Sequence, residues 1–259
     1  MKENPTPFLD GANALEDIVE YSEDRHKVIF GLCDFDVFLE EYSIDDSVEI
    51  MFVSESKFSN LTFLGQLPNL REFYIDYPFE NFVSLVDLKA CYKLEKLVAV
   101  NCHIKKIEGL EDLEHLESVT LFINEIPKIE GLETLTGLKE LDLSSNQIEK
   151  IEGLDNLLAL ESLNLSANKI RKIEDLENLI NLKSLRLRQN HIRVIEGLNN
   201  LKKLEFLHLG ANYLFQGAVF VLKQDLEKYI SDLPSLKKFN NYKFPLSEKI
   251  YLDPSSDCQ

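Results

Sequence analysis

The chain has 259 residues, and 45 acidic against 28 basic side chains leave a formal charge of −17 at neutral pH. A field of that sign repels nucleic acid and anionic membranes, which argues against either as the main ligand while leaving room for a local basic patch. With 44% hydrophobic residues there is ample apolar mass for a packed core, which excludes global disorder.

The first 47 residues carry much of that charge, with 13 acids against 3 bases. They open without an apolar stretch of signal-peptide type. No apolar run in the chain approaches the ~20 residues that a membrane span needs. An intracellular, cytoplasmic protein is expected, with nucleus and cilium as the other compartments to consider. Residues 1–12 read as loose. The run KVIFGLCDFDVFLEEY from Lys27 is apolar enough to fold over the segment that follows, so 1–47 reads as an acidic N-terminal cap.

From Val48 the chain repeats. LKELDLSSNQIEKIEGLDNL begins at Leu138, LESLNLSANKIRKIEDLENL at Leu160 and LKSLRLRQNHIRVIEGLNNL at Leu182, 22 residues apart. Units from Leu94 and Leu116 precede them, and LEFLHLGANYL follows from Leu204. Two earlier units start at Val48 and Leu70, the second with a two-residue insertion near Pro78. Seven complete units with seven slots each make 49 positions, and all are apolar when Ala99 and Cys91 are counted. In each LxLxx stretch alternate residues face inward and outward, as a short strand requires. No unit can bury its apolar slots alone, but stacked in parallel the units form one core over 48–215. Asn124, Asn146, Asn168, Asn190 and Asn212 stand just after the strand, where Cys102, Pro78 and Ser56 take the slot in earlier units. A side-chain amide there can satisfy main-chain groups at the bend, so the units with Ser56 and Pro78 are expected to be less regular.

After Leu214 the template fails, because Gly217 and Lys223 fall on apolar slots. The stretch AVFVLKQDLEKYISDLPSLKKFN reads as an amphipathic helix ending near Pro234. Residues 216–244 are therefore expected to cap the last apolar layer, and 245–259 to form a tail. The four cysteines (Cys33, Cys91, Cys102, Cys258) show no C-x-x-C pair and no zinc-like spacing with histidine, so reduced, mostly buried thiols are the plain reading.

The consensus LxxLxLxx(N/C)xIxxIxGLxxL is similar to the leucine-rich repeats, in particular to the intracellular subclass typified by a regulatory subunit of protein phosphatase 1. The resemblance covers 48–215. It implies a right-handed α/β solenoid with a parallel concave sheet of about eight strands, short helical or 3-10 convex segments and helical caps. The ending Leu233, Pro234, Leu236, Phe239 resembles the family's closing segment. The roles the resemblance suggests are phosphatase regulation, ciliary or axonemal assembly and ribonucleoprotein assembly, with a phosphatase catalytic subunit or a ciliary component as partner. The absence of tryptophan, and concave residues that do not repeat the phosphatase subunit's pattern, speak against the first role. The early segment through the Cys102 unit is similar to the N-terminal part of a larger leucine-rich-repeat protein of ciliated organisms.

Residues flanking the strand leucines face the concave side. In the early units these include Phe52, Tyr74, Tyr77, Val98, Val100 and Phe122, with Ile50 and Ile123 beside them. Solubility alone would not select such exposed apolar groups. The middle units are small, polar or acidic, Asp142 among them, and the late units turn basic and aromatic at Arg186, Arg188, Phe206 and His208. Aromatic residues and arginine anchor interfaces more often than other types, so these positions are the candidate partner-binding residues. Two plainer readings compete. The N-terminal cap could cover the early patch. An acidic stretch of this chain could satisfy the arginines as well as a phosphate or an acidic peptide would. On the outer edge, Glu108, Glu130, Glu152, Glu174 and Glu196 recur with Lys106, Lys128, Lys150 and Lys172; they read as a solvated edge whose pairs are worth ~0–1 kcal/mol each.

The five histidines fall in different units or columns, and no G-x-S-x-G element or phosphate-cradling glycine loop occurs. No enzyme, cofactor or metal site is expected. The expected function is a non-enzymatic protein-interaction scaffold or regulatory subunit holding a protein domain or helix on the concave sheet. An alternative of another class makes the acidic N-terminal segment a module for histones or other basic proteins, and a further alternative is a ciliary or axonemal assembly factor. RNA binding through Arg186 and Arg188 is disfavoured by the net charge and the lack of a continuous basic stripe.

Overall fold

The computed structural model describes residues 27–31, 47–54, 60–78, 84–212, 238–239 and 242–243. Most of the acidic cap, the slots Phe58 and Phe82, Tyr213, the helix expected after 216 and the tail 245–259 lie outside the described residues.

Eleven strands form one sheet in chain order. They are β1 (Lys27–Gly31), β2 (Ile50–Ser54), β3 (Glu72–Asp76), β4 (Lys96–Val100), β5 (Ser118–Thr120), β6 (Glu140–Asp142), β7 (Ser162–Asn164), β8 (Ser184–Arg186), β9 (Phe206–His208), β10 (Lys238–Phe239) and β11 (Tyr242–Lys243). Neighbours pair in parallel from β1 to β10, and β11 returns antiparallel to β10. The eight strands β2–β9 are those the repeat predicts. β1 extends the sheet upstream from within the segment read as a cap, with Lys27 in register with Ile50, and β10 and β11 extend it downstream. Glu72 pairs with Lys96, so the insertion near Pro78 lengthens the loop without shifting the register of the strands.

Every apolar slot of the repeat among the described residues is buried, the least covered being Ile195 at 9% exposure. One continuous cluster runs from Val48 to Leu209. Each buried leucine contributes ~2 kcal/mol, which is why no unit stands alone and the stack does. The convex side is built of 3-10 turns, over Thr62–Gln66 and Val86–Ala90 and then as single turns such as Leu113 N–H to Leu110 C=O at 3.1 Å. A Leu-x-x-Leu spacing of three matches the three residues per turn of a 3-10 helix, so successive leucines point inward together.

The turn out of the sheet has a fixed handedness. Tyr77, Asn101, Ile123, Ser145, Ala167, Gln189 and Ala211 all have φ between 45° and 55°. The asparagine that follows holds this bend. Asn146 donates from Nδ2 to the carbonyls of Leu121 at 2.8 Å and Leu143 at 3.0 Å, and its Oδ1 accepts the Ile126 N–H at 3.0 Å. Asn124, Asn168, Asn190 and Asn212 repeat the pattern. In the earlier unit the Cys102 thiol stands against the carbonyls of Ile75 at 3.7 Å and Val100 at 3.3 Å, a weak substitute for the amide. Cys91 and Cys102 are free and buried, and burial pushes the Cys91 thiol up to about 12.

The second turn of the unit also needs a left-handed residue. Gly109, Gly131, Gly153 and Gly197 supply it with φ of 70–75°, and Asp175 takes the same role at φ 55°. A Cβ on Gly131 would lie 2.4 Å from the Ile107 carbonyl oxygen of the preceding unit.

Candidate functional site

The concave face consists of side chains that alternate with the buried strand leucines. Their columns follow from the register: Phe52, Tyr74, Val98, Thr120, Asp142, Asn164, Arg186 and His208 stand side by side across eight strands. A flanking column begins Ser54, Asp76, Val100 and continues in sequence through Phe122, Ser144, Ser166 and Arg188. Phe206 stands on the same face in the column of Ser184, so the candidate residues read from the sequence share one face, apart from Tyr77, which follows β3 at the bend. They fall into three zones.

The early zone is apolar and aromatic. Phe52 and Tyr74 stack in parallel with ring centroids 4.1 Å apart. The Tyr74 hydroxyl donates to Glu72 at 2.6 Å, and Lys96 lies 5.4 Å from the ring centroid. Burial first, and then the hydrogen bond to Glu72, raise the Tyr74 hydroxyl above its ordinary pKa. Tyr77 is 50% exposed, whereas Ile50, which stands in the concave column of Glu72 and Lys96, is covered and only 8% exposed. Beside these rings, Asp76 Oδ1 is buried and has no hydrogen-bond partner among the described residues. A buried carboxylate oxygen without a donor is costly.

The middle zone satisfies itself. Asp142 Oδ1 accepts from the Ser144 N–H at 2.8 Å and from the Ser144 hydroxyl, and its Oδ2 accepts from Asn164 Nδ2 at 2.8 Å. Asn164 Oδ1 in turn accepts the Ser166 N–H at 3.1 Å. Asp142 is therefore a member of an internal network, with both carboxylate oxygens in use.

The late zone is cationic and aromatic. The Arg186 guanidinium lies 5.2 Å from the Phe206 ring centroid, and Phe206 meets His208 edge-on at 6.1 Å. Arg188 Nη1 donates to Gln189 at 2.9 Å. Ser184 Oγ, on the same strand, is buried and unpartnered among the described residues.

On the outer edge the recurrent charges pair, as in Lys172–Glu174 at 3.1 Å and Lys128–Glu130 at 3.6 Å. A second ladder, not foreseen from the sequence, runs along the strand entrances: Arg71–Glu95, Lys139–Glu117 at 2.7 Å and Lys183–Glu161 at 2.7 Å. Its signal was present in the mixture of opposite charges at Arg71, Glu95, Glu117, Lys139, Glu161 and Lys183, all in one slot of the repeat. Among the described residues no group of three His, Cys, Asp or Glu side chains could hold a metal ion, and no helix is long and apolar enough to cross a membrane.

Parallel strands stacked at a period of 22 residues, broken once by the insertion near Pro78, with apolar residues inward and an asparagine at each bend from the Asn124 unit onward, define a leucine-rich-repeat solenoid. A family model described as "Leucine Rich repeats (2 copies)" matches residues 136–178. Among solved structures, the internalin inlF of Listeria monocytogenes is 23% identical, with a TM-score of 0.64 over 78% of this chain and 56% of the internalin. Internalin C2 of the same organism is also 23% identical, with a TM-score of 0.66 over 76% of this chain and 82% of that one. The ectodomain of the Arabidopsis thaliana receptor kinase GASSHO1/SCHENGEN3, solved in complex with CASPARIAN STRIP INTEGRITY FACTOR 2, is 22% identical with a TM-score of 0.52 over 64% of this chain and 22% of its own. This chain thus spans little more than half of the first of these neighbours. No curated protein matches it. At these identities the likeness is one of fold, and proteins of this fold are generally non-enzymatic interaction scaffolds that bind other proteins on extended concave surfaces.

Proposed function

We propose that the chain is a scaffold or regulatory subunit that holds a folded domain or a helix of a partner protein across its concave sheet. The observation that carries this reading is the half-buried Phe52–Tyr74 stack beside the Asp76 oxygen, which is buried and has no hydrogen-bond partner among the described residues. Aromatic rings on the concave side with a carboxylate oxygen that lacks a donor suit a partner that brings apolar side chains and a hydrogen-bond donor. The eight repeat strands, at ~4.8 Å each, offer a face of about 34 Å, long enough for such an element.

The repeat consensus and the free, buried Cys91 and Cys102 fit the intracellular subclass and a reducing compartment. Within that subclass a phosphatase catalytic subunit and a ciliary component are the partners to test first.

The test is capture from lysate by the intact chain and by a folded variant carrying Tyr74→Ala, Phe122→Ser and Arg188→Glu, each washed at low and at ~0.5 M salt. Capture of a partner that survives high salt and is lost with the variant supports the reading. Capture that ignores the variant and instead disappears when Glu16, Asp17, Glu20, Glu23 and Asp24 are neutralised in the full chain would overturn it. The acidic segment would then be the active element. Neutralisation is preferable to deleting 1–47, because that deletion also removes β1.

A further inference from the structure

We infer that the late end of the concave face, Arg186 and Arg188 with Phe206, is a subsite for the carboxylates of an acidic segment of a partner protein. This deepens the scaffold reading and rests on it.

The chain is rich in acids, and several of its cations pair with them, while others such as Lys93 and Lys169 meet the side-chain amides of Asn69 and Gln147. Arg71, Lys106, Lys128, Lys139, Lys150, Lys172 and Lys183 each have a carboxylate within 4.0 Å. Arg186 and Arg188 do not: among the described residues their recorded contacts are the Phe206 ring and the Gln189 side chain. The acid nearest in register on the same face is Asp142, two strands from Arg186 with Asn164 between them. Its oxygens are already taken by Ser144 and Asn164. Among the described residues no carboxylate forms an ion pair with either guanidinium.

Their placement suits carboxylate recognition. Residues i and i+2 on a strand project from the same face, roughly 7 Å apart, so two forked donors face one extended segment. The Phe206 ring holds Arg186 by cation–π contact, which orders the guanidinium and leaves its outer N–H groups available. An extended chain with acids at alternate positions presents side chains at the same spacing. A phosphate would satisfy one guanidinium at a time, whereas two carboxylates in series match the pair.

The test is fluorescence anisotropy of the full chain with fluorescein-labelled GSEFEFEGS, with a lysine counterpart (GSKFKFKGS), with a phosphoserine peptide and with oligo(U). We expect binding of the acidic peptide alone, weakening as salt rises, and a loss of about tenfold or more in Arg186→Gln/Arg188→Gln, which leaves the fold's core untouched. Tyr74→Ala should bind the acidic peptide normally, since it belongs to the other end. A preference for the phosphopeptide or for oligo(U), or equal binding by the double variant, overturns the subsite. Tighter binding after neutralising Glu16, Asp17, Glu20, Glu23 and Asp24 in the full chain also overturns it, because the arginines would then already be occupied by the chain's own acids. The two proposals fail separately: loss of partner capture in the Tyr74 variant tests the scaffold, and the peptide titration tests the arginines.

Discussion

The early units and the late units solve the same bend by different means. In β2, β3 and β4 the strands run for five residues, the bend lacks an asparagine, and the concave face is apolar. From β5 to β9 the strands shorten to three residues, and an asparagine in each unit, buried in all but the half-buried Asn212, takes over the main-chain groups beyond them. Short side chains then suffice on the middle of the face, and they bond one another. Regularity comes from polar side chains spent inside the turn. The irregular end holds itself by longer backbone pairing and keeps its outward side chains apolar, with one acidic oxygen unpartnered.

The sharpest way to break this contrast is to remove the same slot in each half. Asn168→Leu orphans the Ile148 N–H and the carbonyls of Leu143 and Leu165. We expect a loss of ~3 kcal/mol in urea unfolding, with little change in slope. Cys102→Ala removes only weak thiol contacts and should cost about 1 kcal/mol. Equal losses would mean that the amides are not what orders the late units.

A smaller effect separates glycine from its substitute. Gly131→Ala drives a Cβ against the Ile107 carbonyl at φ +71° and should cost ~2 kcal/mol. Asp175→Gly should gain up to ~1 kcal/mol in the same assay, less whatever the pair with Lys150 at 3.8 Å contributes. At the seam between the halves, Ile123 is a β-branched residue at φ 53°. Ile123→Asn should raise the unfolding midpoint by ~1 kcal/mol of relieved strain while weakening capture of a partner seated on Phe122.

The smallest effect concerns charge alone. Glu125 is held below the usual carboxylate range, first by its hydrogen bond with His103 at 2.8 Å and then by Lys105. A carboxylate of lowered pKa stabilises the fold above its unfolded value and loses that contribution as pH falls through its folded one. In His103→Ala the NMR titration of Glu125 should move up toward the ordinary value. The unfolding midpoint should stay unchanged, because both groups are exposed.

Most of the fold was legible because burial imposes a strict demand: each slot from Val48 to Leu201 had to be apolar, and from Asn124 onward asparagine recurs wherever the main chain turns out of the sheet. β1 escaped because it lies one residue off the period, Lys27 facing Ile50. β10 and β11 escaped because their segment carries no repeat, and the stretch before them reads as helix. On the concave face, composition indicated which residues point outward, since alternation alone decides that. It could not show which polar groups were already spent. Asp142 looked available in the sequence and is bonded through both oxygens, whereas Asp76, passed over, has an oxygen without a donor.

The uniform register makes the concave sheet a graduated scale. A side chain moved by 22 positions lands one strand along, ~4.8 Å away, on the same column and over the same buried leucine. Specificity can therefore be shifted along this surface as a figure is shifted along a ruler, with the core indifferent to the change. Between β2 and β9 the scale has one misprinted interval, the 24 residues from Glu72 to Lys96, and transplants across it must be counted by register rather than by period.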